Sequence, residues 1–235
     1  MSDKKLKYIK AFTEQETKRL QEAQPVLDHV GVIHQDEASP HDSFKYFLDF
    51  GTHLGEGMQK ILDHEKFQEG VEVHSFEANP RVFQRIDFIE GINYYNIAVS
   101  ELTGFFTLNY EIQEKGGATL FPLDTWNPET LYSWKKNERF EKYKQVMVPC
   151  MSILTILDSL LPEDKKEKSI IAKFDIEGAE YGVLEALKET DNFKWFDKIY
   201  IEFHQHLFQN RLPKTTDIAW IKYFEEIGLT TVLWE

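Results

Sequence analysis

The sequence predicts one α/β domain, an αβα sandwich with a mostly parallel central sheet, carrying a helical extension at its N-terminus. Three observations predict it. From Phe44 onward, short apolar strands alternate with helical stretches, the rhythm of a parallel sheet whose crossovers are helices on both faces. The first strand runs straight into a glycine-rich turn, Asp49-Phe50-Gly51-Thr52-His53-Leu54-Gly55. Acidic residues then stand at the ends of later strands, at Glu77, Asp175 and Glu202, which is where open α/β sheets collect their ligands.

The elements follow in order. Residues 1–43 are polar and helix-prone, with Phe12, Leu20 and Val26 as a thin apolar stripe and Pro25 and Pro40 as punctuation; they read as helices laid on the outside of the domain that spans 44–235. Phe44–Phe50 is the first strand. Glu56–Asp63 is helical, with Met58, Ile61 and Leu62 on one side. Val71–Phe76 is a strand, and Pro80–Phe88 a helix that opens on proline, where a missing N–H costs little. Ile92–Val99, Gly104–Tyr110 and Gln145–Cys150 read as strands. Segment 116–143 is long for a connection in a compact domain and is expected to be a lid. Met151–Leu161 is an apolar helix. Ile170–Phe174 is a strand, Gly178–Leu187 a helix, Lys198–Phe203 a strand, Thr216–Ile227 an amphipathic helix and Leu229–Trp234 a last strand.

Composition narrows the function classes. The 235 residues suffice for one full core. A net charge of −13 opposes phosphate backbones and anionic lipid, so no nucleic-acid partner is expected. The single Cys150 rules out an internal disulfide and a cysteine zinc site, and a reducing cytoplasm is the expected compartment. No apolar h-region opens the chain and no run is long enough to span a bilayer, so neither secretion nor membrane insertion is expected.

Glycine spacing points away from a dinucleotide and toward another nucleotide-like ligand. Gly51, Gly55 and Gly57 allow close backbone approach before a helix N-terminus. The spacing is not the G-x-G-x-x-G that seats a pyrophosphate. Asp49 would repel a diphosphate and suits a cationic ligand carrying a sulfonium and an ammonium group. An ordinary β-to-α turn is the plain alternative. Glu77, at the end of the second strand, is placed to accept hydrogen bonds from both ribose hydroxyls; a solvent-facing glutamate is the alternative.

Five blocks in succession, FLDFGTHLGEG, FEANPRVF, NIAVSELTGFF, KFDIEGAEYGVLEAL and IYIEFH, resemble the FkbM-type methyltransferases from Phe47 to His204. Lys173-Phe174-Asp175-Ile176-Glu177-Gly178-Ala179-Glu180 is the most specific of them. The resemblance implies a class I methyltransferase (Rossmann-like) fold and S-adenosylmethionine as methyl donor. It further implies O-methylation of a sugar, glycan or other small-molecule hydroxyl. The cofactor residues it implies are Asp49, Gly51, Thr52, His53, Gly55, Glu77, Ala78, Ala98, Asp175 and Glu177. Thr52-His53 departs from the Ala-Asn common in the family, which loosens the expected contact of His53 with the cofactor carboxylate. The fold class also closes with an antiparallel hairpin, whereas one strand is legible before Glu235.

A neutral sugar hydroxyl is a poor nucleophile, so methyl transfer needs alignment and a proton acceptor. Asp175 and Glu177 fall on one side if the strand geometry continues. Asp175 is placed near the methyl group and the acceptor, with a helix N-cap as the alternative; Glu177 is placed on the methionine ammonium, and Glu180 is structural. His204 is the candidate general base, because its ordinary pKa lies near working pH, with Glu202 orienting it; His206 is the lesser candidate. Asp175 and Glu202 also end neighbouring strands, where oxygen ligands suit a divalent metal such as magnesium; metal dependence is not favoured. On the acceptor side Trp126, Trp134 and Tyr181 are expected to contact substrate, with Tyr132 and Tyr143 as further aromatics of the lid. Two other readings compete: a non-catalytic cofactor-binding partner and an NAD-dependent oxidoreductase. The acceptor and the oligomeric state are not legible.

Overall fold

The computed structural model describes residues 44–65, 67, 70–111, 117–121, 143–160, 169–208, 213 and 216–234. The N-terminal extension 1–43 and most of the expected lid, with Trp126, Tyr132 and Trp134, lie outside the described residues.

Six strands form the central sheet: β1 (Tyr46–Phe50), β2 (Glu72–Phe76), β3 (Ile92–Tyr95), β7 (Ile170–Phe174), β8 (Phe196–Ile201) and β9 (Thr230–Leu233). Their order is β3-β2-β1-β7-β8-β9 and every pairing is parallel. The strand order reverses beside β1, so the ends of β1 and β7 flank a crevice, the usual ligand position in such sheets. β9 pairs parallel with β8, and among the described residues this sheet contains no antiparallel strand.

Alternation along β1 explains the layers. Tyr46, Leu48 and Phe50 face one apolar cluster, with Phe174, Val183, Leu187 and Phe224. Phe47 faces the other, with Met58, Ile61 and Ile171. Helix α1 (Glu56–His64) covers the second face, while α3 (Ile153–Leu160), α4 (Glu180–Glu189) and α5 (Thr216–Ile227) cover the first. This is the expected αβα sandwich. Burying each such Phe or Leu contributes on the order of 2 kcal/mol.

Four expected elements differ. The helix at Pro80–Phe88 is a single turn, α2 (Pro80–Phe83), capped by Asn79, whose side chain accepts from the Arg81 N–H. Ile92–Val99 is two strands. After β3 the chain leaves the central sheet, and β4 (Ala98–Ser100) joins β5 (Gly104–Glu111) and β6 (Tyr143–Ser152) in a second sheet of order β4-β6-β5. The break falls at Asn96, whose side-chain amide donates to the carbonyls of Glu77 (2.8 Å) and Ala78 (3.3 Å). β6 runs through Ser152, so α3 begins two residues later than expected; the Ser152 hydroxyl accepts the Thr155 N–H at its start. α4 begins at Glu180 and not at Gly178, because Glu177 (φ 54°) and Gly178 (φ 102°) are left-handed. No helix among the described residues is long and apolar enough to cross a membrane.

Candidate active site

At the carboxyl ends of β1, β2 and β7 lies a cleft of about 350 Å³, within the range of small-molecule sites. Its floor is the glycine turn. Gly51 (φ 83°) sits so close to the end of β7 that a Cβ there would lie 1.7 Å from the Asp175 carbonyl oxygen. Only glycine permits this approach. Thr52 is buried; its hydroxyl pairs with Ser75 and reaches the Phe76 carbonyl at 3.2 Å, fastening the turn to β2. His53 is left-handed (φ 51°) and its backbone N–H donates to Glu77.

Glu77 ends β2 with both oxygens engaged. Oε2 accepts the His53 N–H at 2.9 Å and Oε1 the Asn79 N–H at 2.7 Å. Burial raises its pKa to about 7 against the lowering effect of those two N–H groups. Each carboxylate oxygen keeps a lone pair for a further donor. Beside it, Ala78, Val82, Ile97, Ala98, Val99, Leu108 and Leu120 line the apolar half of the cleft.

The other half is charged. Asp175, Ile176, Glu177 and Glu202 line it, together with Lys173. Glu177 accepts the Gly117 N–H at 2.9 Å, and its own carbonyl accepts from the Thr119 hydroxyl at 2.7 Å. It therefore ties residues 117–121 across the cleft. Asp175 and Glu177 converge through the left-handed turn, not through continued strand alternation. Asp175 is not an N-cap; that position is Ala179. Glu180 is fully buried and accepts the N–H groups of Ile176 (2.7 Å) and Gly178 (2.8 Å), holding this turn in place.

His204 lies behind the cleft and does not line it. Nδ1 is 3.0 Å from Glu180, and Nε2 is 3.4 Å from Glu177 and 3.6 Å from Glu202. Burial lowers the imidazole's pKa, but Glu180, Glu177 and Asp175 outweigh it and raise the value to about 10. A ring protonated in this way has no lone pair to offer as a base at neutral pH. Glu202 faces the cleft, and its pKa is raised by burial and by Asp175.

Three sequence-derived cofactor or substrate residues stand apart from the cleft lining. Asp49 is fully buried, 3.4 Å from the Lys173 ammonium. Gly55 (φ 100°) is the N-cap of α1. Tyr181 is buried edge-on against Phe208. Gly51, Thr52, His53, Glu77, Ala78, Ala98, Asp175, Glu177 and Glu202 line the cleft together. Asp175, Glu177 and His204 offer three atoms within 4.8 Å of one another. Lys173 and the imidazolium already bring positive charge to that group. Sequence reasoning missed Lys173, Leu108, Leu120 and Trp234 in the cleft wall. A lysine inside the otherwise apolar strand Ile170–Phe174 was the one available signal.

A family model, the methyltransferase FkbM domain, matches residues 49–228. The chain belongs to the FkbM methyltransferase family. No curated protein and no solved structure matches it. The match covers β2, β3, β7 and β8 of the central sheet and the end of β1, but not β9, and it covers all the cleft residues named above except Trp234. Membership of this methyltransferase family implies S-adenosylmethionine as methyl donor, and the donor set suits that molecule: an apolar slot for a base, a carboxylate for a ribose and an acidic end for a cation.

Proposed function

We infer that the protein is an S-adenosylmethionine-dependent O-methyltransferase acting on a hydroxyl of a sugar, glycan or other small molecule. The observation that carries this is one continuous cleft with Glu77 beside the apolar half and Asp175 and Glu202 in the other. Bound there, S-adenosylmethionine would supply an electrophilic methyl group on its sulfonium. The apolar slot from Ala78 to Leu120 holds the adenine, Glu77 accepts from the ribose hydroxyls, and the Gly51–His53 turn with Asp175 holds the methionine end.

Proton management falls to Glu202. Its carboxylate faces the cleft, whereas His204 sits behind it. The imidazolium stands 3.6 Å from Glu202 and 3.4 Å from Glu177, and so orients both carboxylates. This exchanges the roles expected for the pair: Glu202 accepts the hydroxyl proton and His204 positions it. A general base of this kind is worth about 10²–10⁴ in rate. Residues 117–121 help exclude water from the transfer.

Calorimetry with S-adenosylhomocysteine tests the reading. Binding that Glu77→Ala weakens markedly is the expected result. No heat at high micromolar ligand would overturn it. Transfer of label from the methyl donor to a panel of free sugars, glycosides and oligosaccharides then identifies the acceptor.

A further inference from the structure

Asp49 and Lys173 are direct partners across the β1–β7 pairing and point to the same side of the sheet. Lys173 is almost fully buried, yet its side chain reaches the cleft wall. The ammonium has three hydrogens and faces three acceptors. It donates to the Gly51 carbonyl at 2.7 Å and stands 3.1 Å from Asp175 Oδ2 and 3.4 Å from Asp49 Oδ1. The Gly51 carbonyl takes one donor, and the two carboxylates hold the ammonium by charge. Lys173 acts through these neighbours.

Those neighbours belong to different elements. Gly51 opens the turn after β1, and Asp175 follows β7. The two backbones already touch, since a Cβ on Gly51 would overlap the Asp175 carbonyl, and the Asp175 N–H donates to Phe50. Lys173 adds a charged clamp at the same seam. It stands 3.1 Å from one oxygen of Asp175, a residue of the cleft lining. It also compensates Asp49, which is fully buried and would otherwise stand as a second unpaired carboxylate beside Asp175. Removing one partner of a buried charge pair is strongly destabilising because it leaves the other charge uncompensated. Even α1 makes room for this lysine: Gly57 lacks the Cβ that would lie 3.0 Å from its Cε.

We propose that Lys173 is a positioning residue for the aminocarboxypropyl end of the cofactor. It holds the Gly51 carbonyl and the Asp175 carboxylate in the arrangement that receives the ligand's α-ammonium group. This rests on the cofactor reading above.

Two probes separate positioning from general structure. S-adenosylhomocysteine carries the aminocarboxypropyl group; 5′-methylthioadenosine keeps the adenosine and the sulfur but lacks it. In Lys173→Met, affinity for S-adenosylhomocysteine should fall about tenfold or more while that for methylthioadenosine stays within about twofold. Lys173→Met leaves the fully buried Asp49 and the half-buried Asp175 uncompensated and is prone to unfold. The double variant Asp49→Asn/Lys173→Met removes one charge of each sign and should show the same selective loss. Lys173→Arg, which keeps the cation, should recover part of the affinity. Unchanged S-adenosylhomocysteine binding in the double variant overturns the proposal, as does an equal loss for both probes. Failure of the wild-type protein to bind S-adenosylhomocysteine would instead overturn the cofactor reading.

Discussion

Nδ1 of His204 lies 3.0 Å from Oε1 of Glu180, a carboxylate with no exposed surface. The pair joins the segment after β8 to the first turn of α4, and the same carboxylate holds the N–H groups of the 176–178 turn. Removing Glu180 takes the nearest carboxylate from a buried imidazolium and strips the Ile176 and Gly178 N–H groups of their acceptor, so Glu180→Ala should lower stability by about 3–5 kcal/mol in denaturant titration.

The same pair makes stability depend on pH. The folded-state pKa of His204, about 10, lies above its ordinary 6.5. The folded state therefore binds this proton more tightly than the unfolded state does. The stabilisation is complete below pH 6.5 and is lost as pH rises toward 10. Denaturant midpoints should fall across that window in the wild-type protein. His204→Gln should show a flatter alkaline limb; an identical slope would mean that the imidazole is not held charged.

Cofactor affinity should carry the signature of Glu77. Its carboxyl titrates near 7 in the open cleft, and ribose hydroxyls donate to the ionised form. As pH falls below 7 a proton competes, and the dissociation constant of S-adenosylhomocysteine should rise by up to about tenfold per pH unit. Glu77→Ala should weaken binding by about 2 kcal/mol, roughly thirtyfold, and abolish this dependence.

Glu202→Gln keeps the shape of the cleft and removes the proton acceptor. Turnover should fall by about 10²–10⁴ with S-adenosylhomocysteine affinity nearly unchanged. Retained turnover would take Glu202 out of the mechanism.

Cys150 is fully buried, and burial pushes its thiol up to about 12. Thiolate is the reactive form, so iodoacetamide at pH 8 should leave the folded protein unmodified and label it once unfolded. Mass spectrometry reads this directly.

The βαβ rhythm, the glycine turn, Glu77 and the Asp175–Glu180 block were all legible in the chain. Hydrophobic period and turn chemistry are local properties, and a strand-end acid needs only its place in the order. The second sheet was not legible. Ile92–Val99 reads as one apolar run, and the break at Asn96 exists because its amide finds the carbonyls of Glu77 and Ala78, residues of another strand's end.

The charge states were decided later still. Asp49 reads as a ligand for a cation, and His204 as a base with an ordinary pKa. In the fold, Asp49 meets Lys173 across a strand pair, and His204 meets three glutamates from the turn and helix after β7 and from the end of β8. Sequence alone determined the sandwich, the family and the place of Glu77 at the end of β2. Tertiary structure alone decided which acidic groups face the cleft and which are spent on buried cations, because a pKa is set by neighbours in space and by burial, and neither is written in the order of the residues.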